Sequence, residues 1–67
     1  MAKNLKMKAA RVMKDMTQKD LANAVSVSRQ TINAIENGEY NPTIKLCREI
    51  CKVLCKSLDE LFGEEEE

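Results

Sequence analysis

Three cysteines and one polar trio are the residues of this 67-residue chain whose types and spacing bear on chemistry. Cys47, Cys51 and Cys55 stand at i, i+4 and i+8, which puts them on one face if their segment is helical. A row of thiols suggests metal binding or redox work. A structural zinc site of the Cys and His kind takes four ligands, however, and the chain has no histidine and no fourth cysteine to complete one within itself. Cysteines four apart on a helix are also poorly placed for a mutual disulfide. Cys47 and Cys51 are therefore expected to pack in the core as small apolar groups. Cys55, near the end of its helix, is expected to be exposed and able to cross-link or sense oxidants. No metal and no cofactor is expected.

Arg29, Gln30 and Asn33 pose the other question. They lie within VSVSRQTINAIENG, residues 25–38, a stretch with a helix start, an apolar row and a glycine stop but a polar middle. Without histidine no nucleophile–base pair can be assembled around them, so catalysis is the least supported reading.

The elements that must position these residues follow from composition and spacing. Sixty-seven residues make one small domain, near the size at which a single core can hold a fold without staples. Apolar residues are 43% of the chain, Tyr40 and Phe62 are its only aromatics, and glycine and proline total three, a composition that predicts an all-α fold. No apolar run approaches the ~18 residues of a membrane span, and the start of the chain lacks the apolar core of a signal peptide. A cytoplasmic protein with reduced thiols and no membrane partner is expected.

The formal charge of zero hides an asymmetry. Four of the eleven acidic residues are Glu64 to Glu67, so the rest of the chain sets eleven Lys and Arg against seven acids, a net +4. Residues 1–35 hold Lys3, Lys6, Lys8, Arg11, Lys14, Lys19 and Arg29 against only Asp15 and Asp20. A basic body can bind polyanions through one face, although a merely solvated helix surface fits the count equally well.

Residues 3–14, free of Gly and Pro, read as a first helix, with Leu5, Met7, Ala10, Val12 and Met13 forming two overlapping apolar rows. Thr17 and Asp20 give a capping-box-like start to a short second helix with Leu21, Ala22 and Val25 inside. Ser28 caps a third, with Ile32 and Ile35 inside and Gly38 past its end. After a loop through Tyr40 and Pro42, Thr43 caps a fourth helix in which Ile44, Cys47, Ile50, Cys51 and Leu54 keep helical spacing. Ser57 and Glu60 form a capping box for a last short helix carrying Leu61 and Phe62. The expected architecture is a compact five-helix bundle. Its second and third helices, joined by a tight turn, form a helix-turn-helix within a domain spanning residues 1–63. Residues 64–67 form an acidic tail expected to be disordered.

Arg11, MTQKDLA (16–22), VSRQTINAIENG (27–38), YNPT (40–43) and SLDELF (57–62) together resemble the Cro/repressor-type, or XRE, helix-turn-helix regulators, over roughly residues 5–62. One departure is Ser26, where the family's turn often has glycine. A left-handed serine there costs on the order of 1 kcal/mol.

The resemblance implies a lambda-repressor-like DNA-binding fold whose third helix enters the major groove while the second crosses the backbone. It implies base readout by Gln30, then Arg29, then Asn33, with Ser28 and Ala34 beside them; Arg29 can instead hold a phosphate. Thr17 and Gln18 at one helix start, and Asn37, Tyr40, Asn41 and Thr43 around the loop before the fourth helix, are expected at phosphates. For Thr17, Ser28 and Thr43 helix capping is an equal expectation, and for Tyr40 packing over Pro42 or the end of the third helix. Arg11 and Glu36 are implied as a partly buried structural ion pair. Leu58, Leu61 and Phe62 are expected to cover the core and form a homodimer seam on a palindromic operator.

The expected function is a sequence-specific regulator of double-stranded DNA, acting as a repressor, with no small-molecule ligand. Alternatives are an antitoxin or restriction-control subtype, and a small helical protein-binding module with no DNA role.

Overall fold

The computed structural model describes residues 3–63; the acidic tail, residues 64–67, lies outside them. Five helices follow in order: α1 (Leu5–Met13), α2 (Gln18–Ala24), α3 (Arg29–Glu36), α4 (Ile44–Leu54) and α5 (Leu58–Phe62). Among the described residues there is no strand, and no helix is long and apolar enough to cross a membrane.

Each helix starts on a polar side chain that accepts from a backbone N–H three residues on. Asn4 Oδ1 accepts from Met7 (3.0 Å), Thr17 Oγ1 from Asp20 (3.0 Å), Ser28 Oγ from Thr31 (3.2 Å), Thr43 Oγ1 from Leu46 (3.1 Å) and Ser57 Oγ from Glu60 (3.0 Å). At α2 and α5 the box is complete: Asp20 Oδ2 accepts from the Thr17 N–H (3.0 Å) and Glu60 Oε1 from the Ser57 N–H (2.8 Å). These bonds and the cap hydroxyls hold both carboxyls below their ordinary values of 3.8 and 4.5. A carboxylate with a lowered pKa stabilises the fold fully above its ordinary value and loses that contribution as the pH falls through the lowered one. Stability is therefore expected to fall on the acid side of pH 4–5. Asp20→Asn with Glu60→Gln should flatten that limb in urea melts taken at a series of pH values.

Helices α1 to α4 also stop by a common device, a residue in the left-handed region followed by a pair of nested backbone bonds. The residues are Asp15 (φ 59°), Ser26 (φ 62°), Gly38 (φ 77°) and Cys55 (φ 58°). At α2, Ser26 N–H reaches Asn23 O and Val27 N–H reaches Ala22 O; at α4, Cys55 N–H reaches Lys52 O and Lys56 N–H reaches Cys51 O. Equivalent pairs close α1 and α3. This is the Schellman arrangement, in which glycine is the usual residue because a Cβ is strained at positive φ. Ser26→Gly is therefore expected to stabilise the protein by about 0.5–1 kcal/mol, the relief of strain exceeding the entropy that glycine adds to the unfolded chain. Denaturant midpoints measure it.

The core consists of Met7, Ala10, Leu21, Ala22, Val25, Ile32, Ile35, Ile50, Cys51, Leu54 and Leu61, with Val27, Leu58 and Phe62 partly buried against it. Two apolar rows were expected on α1, and only Met7 and Ala10 face inward; Leu5, Val12 and Met13 are 64%, 57% and 81% exposed. The choice follows from Arg11, which must turn the same way as its buried partner. Ile44 does not join the inner face of α4 but is 61% exposed, because it is the first helical residue, at the edge of the arc centred on Cys47, Ile50 and Leu54. Cys47 and Cys51 are buried and Cys55 is exposed, as their positions on α4 predict. Leu61 is 3% exposed, within its own chain's core, so it has no surface to give to a second copy; Leu58 and Phe62 keep some.

Candidate nucleic-acid interface

The surface of interest is the outer side of α3. Ile32 and Ile35 commit one side of this helix to the core, so residues on the other side are left to solvent. Ser28, Arg29, Gln30 and Asn33 are exposed and Ala34 is half-buried. Ser28, Arg29 and Gln30 open the helix directly after the tight turn at Ser26 and Val27, and Asn33 and Ala34 lie about one turn further along. Ser28 spends its hydroxyl on the cap and on Thr31 Oγ1 at 2.9 Å, which stiffens this start.

What holds α3 in place is a charge pair inside the protein. Arg11 Nε donates to Glu36 Oε2 at 2.8 Å and its second terminal nitrogen donates to Oε1 at 3.3 Å. Arg11 is 8% exposed and Glu36 4%. The remaining guanidinium nitrogen donates to the Met16 carbonyl oxygen at 2.7 Å, so Arg11 binds the α1–α2 turn as well as α3. The Asn4 N–H adds a backbone bond to the Glu36 carbonyl at 2.9 Å. Among the described residues no buried side-chain nitrogen or oxygen lacks a partner, the condition under which a buried pair is tolerated.

Gln18 extends this network to the surface. Its amide nitrogen donates to Glu36 Oε1 and to Asn33 Oδ1, both at 3.1 Å. An amide nitrogen has two protons, and both are committed. In this arrangement the Gln18 side chain spends both on α3, while the residue itself opens α2, where a phosphate contact is expected. Glu36 and Asn33 lie three apart on α3, so one turn of helix presents both to the same amide.

The other expected site residues fall into place around this frame. Thr17 and Thr43 are exposed with their hydroxyls on caps. Asn37 is half-buried, Asn41 is exposed and Tyr40 is 45% exposed. Among the described residues no group of three or more His, Cys, Asp or Glu side chains could hold a metal ion.

The helix-turn-helix family model HTH_3 matches residues 7–61. The chain is 44% identical over 57 residues to MJ0272 of Methanocaldococcus jannaschii, described as an uncharacterised HTH-type transcriptional regulator; the match covers 85% of this chain and 86% of that protein. It is 39% identical over 62 residues to the HTH-type transcriptional regulator YgzD of Bacillus subtilis, covering 92% and 94%. Among solved structures, the restriction-modification controller protein C.AhdI of Aeromonas hydrophila superposes with a TM-score of 0.81 over 88% of this chain and 86% of its own, at 22% identity, a likeness of fold. The chain belongs to the XRE-type helix-turn-helix family, a family of DNA-binding transcription regulators and not of enzymes.

Proposed function

We propose that this protein is a sequence-specific repressor that binds double-stranded DNA in the cytoplasm as a homodimer on a palindromic operator, with α3 in the major groove. The observation that carries the proposal is the exposed polar row at the start of α3, fixed from behind by the buried Arg11–Glu36 pair. Gln30 and Arg29 read base edges, as glutamine pairs with adenine and arginine with guanine, and Ala34 touches a thymine methyl. Asn33 reads with its amide nitrogen, since its oxygen is held by Gln18. Ser28 sits at the same helix end. Thr17, Asn37, Tyr40, Asn41 and Thr43 meet phosphates on either side. The half-buried Leu58 and Phe62 on α5 form the dimer seam, without Leu61.

Selection of duplexes from a random double-stranded pool tests this reading. The expected result is a two-fold-related motif with half-sites about one helical turn apart. Failure to enrich any duplex at low salt would instead favour a protein-binding module. Leu58→Glu with Phe62→Glu is expected to leave the half-site motif and remove its two-fold repeat.

A further inference from the structure

The groove between the ends of α1 and α4 brings together two groups that have no part in the DNA-facing surface. Lys14 Nζ lies 3.1 Å from Cys55 Sγ, although the two residues are 41 positions apart in sequence. Both are exposed. Lys14 ends α1, and Cys55 is the left-handed residue that closes α4. A cavity of about 360 Å³ opens beside them, lined by Ala10, Met13, Lys14, Leu54, Cys55 and Lys56, room enough for a small oxidant to reach the sulfur. The other two thiols are shut off. Cys47 and Cys51 are each 6% exposed, and burial pushes both thiols above the ordinary value.

We propose that Lys14 and Cys55 form a peroxide-dependent covalent cross-link, a sulfur–nitrogen bond that fastens the end of α1 to the end of α4. The Cys55 thiolate attacks one oxygen of hydrogen peroxide; the O–O bond breaks, sulfur loses two electrons, and a sulfenic acid and hydroxide result. The hydroxide takes a proton from the Lys14 ammonium beside it, giving water and a neutral amine. The amine nitrogen then displaces the sulfenic hydroxyl, which leaves as a second water with the nitrogen's proton. The sum is one thiol, one amine and one peroxide giving one sulfenamide and two waters. Sulfenic acids condense with thiols to disulfides and with backbone nitrogens to sulfenamides; a lysine amine is a stronger nucleophile than an amide nitrogen, and among the described residues Cys55's only fellow thiols are the buried pair. A reducing thiol breaks the bond and restores both side chains, so the fastening is reversible.

The test is mass mapping of the full chain after brief exposure to hydrogen peroxide, with free thiols then alkylated and the protein cut with trypsin. The expected product is a peptide of residues 12–19, uncut at Lys14, joined to residues 53–56 and about 2 Da lighter than their sum. Methionine oxidation adds mass and is separated by it. The joined peptide should disappear in Lys14→Arg and in Cys55→Ser, and on adding dithiothreitol. In Lys14→Arg, which keeps the positive charge, the sulfenic acid should persist and be captured by dimedone severalfold more than in the native chain. The cross-linked protein should melt at a higher temperature than the reduced one, because the closed loop restricts the unfolded chain. Recovery of Cys55 only as sulfenic or sulfinic acid, as a disulfide between chains, or joined to Lys56 in place of Lys14 would overturn the proposal. Equal dimedone capture in native chain and Lys14→Arg would do the same.

Discussion

Replacing Glu36 with glutamine is expected to destabilise the protein by about 3–5 kcal/mol, a large fraction of the stability of a domain that holds together by the order of 5–15 kcal/mol. Glutamine has nearly the shape of glutamate and can still accept hydrogen bonds, so little packing is lost. What is lost is the charge that Arg11 faces. The guanidinium is then left inside the protein with no anion, and arginine cannot escape by giving up its proton. Arg11→Met leaves the opposite orphan, the Glu36 carboxylate, which can become protonated and should therefore be the milder change. The double substitution Arg11→Met with Glu36→Leu removes both charges. It should recover most of the loss, because the desolvation penalty of a buried pair offsets much of its attraction, although Gln18 then loses one of its acceptors. Urea titrations of the three variants measure this. A double variant no more stable than Glu36→Gln would mean that Arg11 is held by its bond to the Met16 carbonyl and by packing, and not by the charge of Glu36.

The sequence made some of these features plain and concealed others for physical reasons. Capping boxes are local, so Thr17 with Asp20 and Ser57 with Glu60 could be read three residues at a time. The left-handed Ser26 was legible through the family resemblance alone, because the turns of that family often carry glycine at this position. Asp15 and Cys55 were not: aspartate tolerates positive φ but occurs far more often without it, cysteine seldom adopts it, and the nested bonds of a completed helix end impose it on both. On α1 the apolar pattern alone was ambiguous. Leu5, Val12 and Met13 are as apolar as Met7 and Ala10, and the tie broke only when Arg11 met Glu36 twenty-five positions away. The role of Gln18 was hidden for the same reason. Its partners Asn33 and Glu36 are fifteen and eighteen residues distant, and how α2 crosses α3 decides that they meet.

On DNA, Gln30→Ala and Arg29→Ala are each expected to weaken binding to the selected operator by about 1–3 kcal/mol, roughly 5- to 150-fold, and to relax preference at one base pair per half-site. Neither side chain supports the fold, since both are exposed and carry no cap, so stability should change by less than about 0.5 kcal/mol. The two should separate by their response to salt. If Arg29 reads a guanine, its removal changes the preferred sequence and leaves the slope of log affinity against log salt little altered. If it holds a phosphate, binding weakens evenly across sequences and the slope falls by about one. Asn33→Ala and Gln18→Ala should then behave as a pair. If Asn33 touches the base and Gln18 aims it, each substitution alone is expected to blur the same base pair and the two together to blur it no further. Additive losses would show that Gln18 turns away from Asn33 in the complex and meets the phosphate after all. Binding isotherms at several salt concentrations, read against a panel of single-base operator changes, distinguish these outcomes position by position.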